Sequence, residues 1–148
     1  MRSALLLIVL GAVGWAGSAY GTWKLNSARS TFAGDTQPRS FTIRIEPHIN
    51  GEAFTLDRIE ADGRAISSST ILYLDGRERD FREGECAGTQ SSRRMDGGAV
   101  EILHKCAGGN WTRLVRRSPA SAKELVIEIT EQHNDGRRFE RRLILDKQ

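Results

Sequence analysis

From residue 40 onward the chain repeats one unit, a run of five to ten residues rich in β-branched and aromatic side chains followed by a two-residue turn. The turns are Asn50-Gly51, Asp62-Gly63, Asp75-Gly76, Asp96-Gly97, Gly108-Gly109 and Asp135-Gly136. Asn-Gly and Asp-Gly adopt the backbone of tight hairpin turns at little steric cost, so each is expected to join sequential antiparallel strands. The strands read as residues 22–26, 40–49, 53–61, 67–74, 77–81, 87–95, 99–106, 110–117, 124–133 and 137–145. After the first twenty residues no segment sustains an i, i+3, i+4 apolar pattern, so helix has no strong candidate and little helix is expected. The expected fold is an all-β, antiparallel up-and-down meander of about ten strands, closed into a barrel because closure removes two long unpaired edges. A barrel of that strand number is too wide for the side chains of two facing walls to fill, so it either holds a ligand or flattens, and the fold suggests a pocket.

Alternation tells which side chains face inward. It is cleanest in Phe41, Ile43, Ile45 and in Leu125, Ile127, Ile129, with polar or charged residues between most of them. It is ambiguous around Tyr73, where Ile71 and Tyr73 share one face and Leu72 and Leu74 the other.

The N-terminus reads differently. Arg2 precedes an apolar run from Ala4 to Val13 that closes on Ala16-Gly17-Ser18-Ala19, the pattern of a secretory signal peptide cleaved near Ala19 or Gly21. The same segment kept as an anchor is barely long enough to span a bilayer and is broken by Gly11, Gly14, Gly17 and Ser18. No cysteine follows the run to carry a lipid, and no twin-arginine signal is present. The expectation is a leader at 1–19 and one domain at 20–148, secreted or periplasmic, with no stable membrane insertion after cleavage. Of 22 Lys and Arg residues only Arg2 falls in the leader, leaving 21 against 19 acidic residues. Charge so balanced disfavours nucleic acid as a partner.

Cys86 and Cys106 lie nearly symmetrically about Asp96-Gly97, opposite each other or one residue out of register in a hairpin. That spacing suits a cross-strand disulfide, and closing such a loop stabilises a domain by about 3 kcal/mol in the chain-entropy model. Two distant cysteines form no Cys-x-x-Cys, and His104 does not complete a zinc set, so neither a redox motif nor a metal site is expected.

The expected mature start is Gly21-Thr22-Trp23-Lys24-Leu25-Asn26, followed by Ser27-Ala28-Arg29-Ser30-Thr31-Phe32. It resembles the opening of small secreted bacterial proteins of lipocalin-like type. Its Gly-x-Trp is similar to the hallmark of lipocalins and fatty-acid-binding proteins, the calycin group of ligand-carrying barrels. The resemblance implies that Trp23 plugs the closed barrel end under an arginine of the last strand, Arg142 or Arg141. Two features of fatty-acid-binding proteins are not matched: residues 27–39 are too few for a helical lid, and no Tyr stands two residues after Arg141 or Arg142.

Several arginines fall on the last strands. Period-two counting sets Arg113 beside Trp111 and Val115, and Arg141 beside Phe139 and Leu143, which makes these two the candidates for inward guanidiniums that hold a ligand acid group. The alternative is that each pairs with a protein carboxylate such as Glu101, Glu128 or Glu140, or faces water. Among His48, His104 and His133, only His104 shares a face with apolar residues, Val100 and Ile102, and is expected to line a pocket rather than act as a base. The acidic stretch from Asp75 to Glu85, interleaved with Arg77, Arg79 and Arg82, reads as a solvated hairpin without calcium-loop spacing. No serine sits in Gly-x-Ser-x-Gly, and no acid–base pair can be assembled, so no enzyme activity and no cofactor is expected. The expected function is binding of a small amphipathic or lipophilic ligand, acidic if the arginines hold it, with Phe41, Ile43, Tyr73 and Ile102 as apolar wall and Arg113, Arg141 and His104 as polar contacts. The other reading is a protein-binding module such as a periplasmic hydrolase inhibitor.

Overall fold

The computed structural model describes residues 19–32, 37–118 and 121–148; most of the proposed leader lies outside them. The described chain is nearly all β and contains no α-helix. Its strands are β1 (Gly21–Leu25), β2 (Thr31–Phe32), β3 (Ser40–His48), β4 (Gly51–Ile59), β5 (Ala65–Leu72), β6 (Arg79–Glu83), β7 (Cys86–Arg94), β8 (Val100–Cys106), β9 (Trp111–Arg117), β10 (Glu124–Gln132) and β11 (Arg138–Lys147). They form one antiparallel sheet in the order β5-β4-β3-β1-β11-β10-β9-β8-β7-β6, with β2 pairing β11. The result is a nearly closed barrel, and β1 bridges the first and last hairpins through Trp23↔Ile43 and Trp23↔Lys147.

Five of the six turn dipeptides join paired neighbours, as expected. Asp75-Gly76 does not. Leu74 takes a φ of 61° and turns the chain away from β5, after which Asp75 bridges Arg93 and the Gly76 N–H donates to the Ser92 carbonyl at 2.8 Å. β6 then pairs only with β7, across a turn at Gly84-Glu85 that alternation in the sequence does not announce. β5 and β6 are thus the two ends of the strand order, and side chains span the seam between them. Ser68 Oγ donates to Glu83 Oε1 at 2.5 Å, and the Gln90 amide nitrogen donates to Thr70 Oγ1 at 3.1 Å.

The barrel is packed tightly at one end and loosely at the other. At the tight end Trp23, Ile45, Leu72, Val100, Leu125 and Leu145 are sealed from solvent. The Trp23 Nε1–H donates to the Ala19 carbonyl at 2.8 Å, so its one polar atom is satisfied. Buried beside this layer, Glu52 Oε2 accepts from Arg116 Nη2 at 2.7 Å; the two side chains are 3% and 4% exposed.

Cys86 and Cys106 form the disulfide, with Cα atoms 5.0 Å apart. The residue opposite Cys106 is Gly88, so the bond runs diagonally, two residues out of register rather than none or one. Gly88 makes that approach possible: a Cβ there would lie 1.9 Å from the Lys105 carbonyl oxygen, closer than any backbone contact allows.

Candidate functional site

The loosely packed end encloses a cavity of about 250 Å³ that widens into a mouth of about 390 Å³. Phe41, Arg58, Ile129, Glu131 and Arg141 line both. Phe54, Leu56, Ile102 and Leu114 supply the apolar wall, while Ser68, Thr70, Glu83, Gln90, His104 and Thr112 supply polar groups on and around the seam. The disulfide is part of the same wall.

His104 is fixed on two sides. Its ring stacks on Phe81 with centroids 4.1 Å apart and planes 13° from parallel. Its Nε2 lies 3.0 Å from Gln90 Oε1. Because the Gln90 amide nitrogen donates to Thr70, its oxygen is left to accept, which assigns the proton of the neutral imidazole to Nε2. Burial pushes the His104 pKa below its ordinary value of 6.5, with Glu83 opposing the shift.

Each arginine of the cavity has a carboxylate beside it. Arg141 Nη1 donates to Glu131 Oε2 at 2.9 Å, and the other oxygen of Glu131 meets His133 Nε2 at 2.8 Å. Arg58 Nε lies 2.9 Å from Glu60 Oε1, an ion pair without a hydrogen bond, since that buried nitrogen has no hydrogen-bond partner among the described residues. Glu83 differs: its hydrogen bond comes from the Ser68 hydroxyl, and it forms no ion pair among the described residues.

Of the residues singled out in the sequence, Phe41, Ile102, His104 and Arg141 come together around the cavity. Ile43 is buried in the core with 1% exposure, away from the cavity surface. Three candidates lie elsewhere. Tyr73 is on the outer surface under the Arg79 guanidinium, 3.7 Å from its ring centre, because its neighbour Leu72 takes the inward position opposite Glu52. Arg113 is also outside, donating to Glu101 Oε2 at 2.6 Å. The register Ile102↔Leu114 turns Thr112, Leu114 and Arg116 inward, so Arg113 faces solvent. Glu101 lies between two guanidiniums, Arg93 and Arg113, and the Arg93 hydrogen bond is the main cause of its lowered pKa. Arg142 is exposed, opposite Thr31 and Glu128, and does not cover Trp23. The cation over that ring is Lys147, its register partner, with Nζ 5.5 Å from the centroid.

Glu83, Gln90, Glu131, Phe54 and Phe81 were not singled out in the sequence, yet all five line the cavity. For Glu83 a signal existed: Arg79, Phe81 and Glu83 alternate, and extending the strand from Phe81 to Glu83 would have placed the carboxylate on the Phe81 face. No protein-family model matches the chain, and no curated protein matches it in sequence. No helix among the described residues is long and apolar enough to cross a membrane. That and the disulfide are compatible with an extracellular or periplasmic protein.

Proposed function

We propose that this protein is a secreted or periplasmic, non-catalytic carrier of the lipocalin-like kind, holding a small amphipathic or lipophilic molecule in its barrel. The observation that carries this reading is the cavity of about 250 Å³, apolar on one wall and furnished with a few fixed hydrogen-bonding groups on the other. A barrel filled by its own side chains would instead favour recognition through the outer surface, the protein-binding alternative. The acid-anchor idea loses support, since Arg113 faces solvent and Arg141 is engaged by Glu131.

The test is mass spectrometry of the protein purified from the secretory compartment, native against denatured, beside the cavity-filling variant Leu114→Trp. Excess mass on the native protein that disappears on denaturation, and is missing from the folded variant, is the expected result. Equal loading of both would place the molecule outside the cavity and overturn the reading.

A further inference from the structure

The inner cavity contains two arginines and two glutamates, and their pairing is uneven. Arg141 donates a hydrogen bond to Glu131, and Arg58 lies 2.9 Å from Glu60 through a buried Nε that makes no hydrogen bond among the described residues, so each guanidinium already has a carboxylate beside it. That leaves Glu83. It is half-buried on the short strand β6, receives the Ser68 hydroxyl, and lies close enough to His104 to influence its charge. Its nearest basic neighbours along the chain point elsewhere: Arg82 is exposed, and Arg79 is engaged by Asp75 at 2.8 Å. A carboxylate withdrawn from bulk water without a counter-charge is destabilising, and the molecule that fills the space beside it can remove that cost. Among the described residues no set of three His, Cys, Asp or Glu side chains is placed to hold a metal ion, so the geometry fits a single organic charge better than a divalent ion.

We infer that the cavity selects an amphipathic amine, its charged nitrogen paired with Glu83 and its apolar body against Phe41, Phe54, Leu56 and Ile129. This deepens the carrier reading and rests on it. His104 belongs to the same recognition: as a neutral ring held by Gln90 and Phe81 it does not compete for Glu83, whereas as a cation it would. An acidic ligand of the same shape meets Glu83 with like charge and finds a carboxylate already beside each cavity arginine.

The experiment is isothermal titration of the whole secreted protein at neutral pH with octylamine, octanol and octanoate, three probes that share a chain and differ in the head. Octylamine is protonated there, since alkylamines titrate near about 10.4 like lysine. Octylamine is expected to bind about tenfold more tightly than octanol, and octanoate more weakly than either. Glu83→Gln is expected to erase the amine advantage while leaving octanol unchanged. Should that variant fold poorly, the unmodified protein still tests the charge pairing, because the amine advantage is expected to shrink as ionic strength rises. Octanol binding without an amine advantage, or an advantage that persists in Glu83→Gln or is indifferent to salt, overturns the inference and leaves the carrier reading standing. Absence of binding by all three overturns both.

Discussion

The two ends of the barrel hold charged side chains in opposite ways. At the tight end Glu52 and Arg116 face each other at 2.7 Å with almost no exposure, enclosed by the layer that contains Trp23 and Leu145. At the cavity end Glu131 and Arg141 form a pair of similar length, 2.9 Å, but remain 28% and 19% exposed beside open space. The first pair is enclosed by packing, although the exposed Arg94 also approaches Glu52, at 3.7 Å, and Arg116 Nη1 is buried without a hydrogen-bond partner among the described residues. The second shares its carboxylate with His133 and borders a cavity, so a ligand can rearrange it at modest cost. Charge at one end is enclosed in the core, and charge at the other is partly hydrated beside the cavity. A buried pair is not automatically stabilising, because removing two ions from water offsets most of their attraction; what is certain is the penalty for breaking it.

That contrast is broken most severely at the tight end. Glu52→Ala strands the Arg116 charge in the core and is expected to cost about 3–5 kcal/mol, while Glu52→Leu combined with Arg116→Met should recover most of it. Urea unfolding of both variants measures this; equal losses would mean that volume, not charge, sets the cost. The next effect in size is at the cavity wall. Replacing Cys86 and Cys106 together by Ser should cost about 3 kcal/mol through the unfolded chain. It should also loosen the β6–β7 hairpin that carries Glu83, seen as faster amide exchange in 79–94 than across β3 and β4.

The same division between ends explains how much of the molecule was legible in the sequence. Turn dipeptides and clean alternation are local signals, and they are strong wherever one face is wholly apolar, as in Phe41-Ile43-Ile45. They fail where both faces carry apolar groups. In the run 71–74 every residue is hydrophobic, and only the pairing of Leu72 with Glu52 decides that Tyr73 faces out. In 111–116 each face has apolar residues and an arginine; register with β8 selects Arg116 over Arg113. The break between β5 and β6 is likewise partly non-local, since the turn residues Asp75 and Gly76 pair with Arg93 and Ser92 of β7 instead of closing a hairpin. The site was partly legible for this reason: His104 and Arg141 sit on strands with readable alternation, whereas Glu83 lies two residues past the point where the apolar signal of β6 stops.

The pH response should sharpen the comparison further, with a smaller effect. Burial keeps His104 neutral below the ordinary value of 6.5, so the unfolded chain takes up that proton first as pH falls. Its contribution is therefore fully present above about 6.5 and is lost as pH drops from there toward the lower folded-state value. Unfolding midpoints of the unmodified protein and of His104→Gln, followed from neutral to mildly acidic pH, should diverge above that range and converge below it. Parallel curves would show that the ring is not the titrating group.

The smallest effect belongs to Arg113, and it separates the inner face from the outer one. Its guanidinium is 40% exposed and shares Glu101 with Arg93, which is 60% exposed. Losing one of two cations on a carboxylate at the surface leaves the other in place, so Arg113→Ala should change stability by no more than about 0.5 kcal/mol. It should leave octanol and octylamine affinities unchanged. Arg141→Ala, on the inner face, frees Glu131 beside the cavity and should raise octylamine affinity several-fold while weakening octanoate. If instead both arginine variants altered ligand affinity alike, through the overall charge of the protein, the distinction between a recognising interior and a solvated exterior would fail, because distance from the cavity would no longer govern the response.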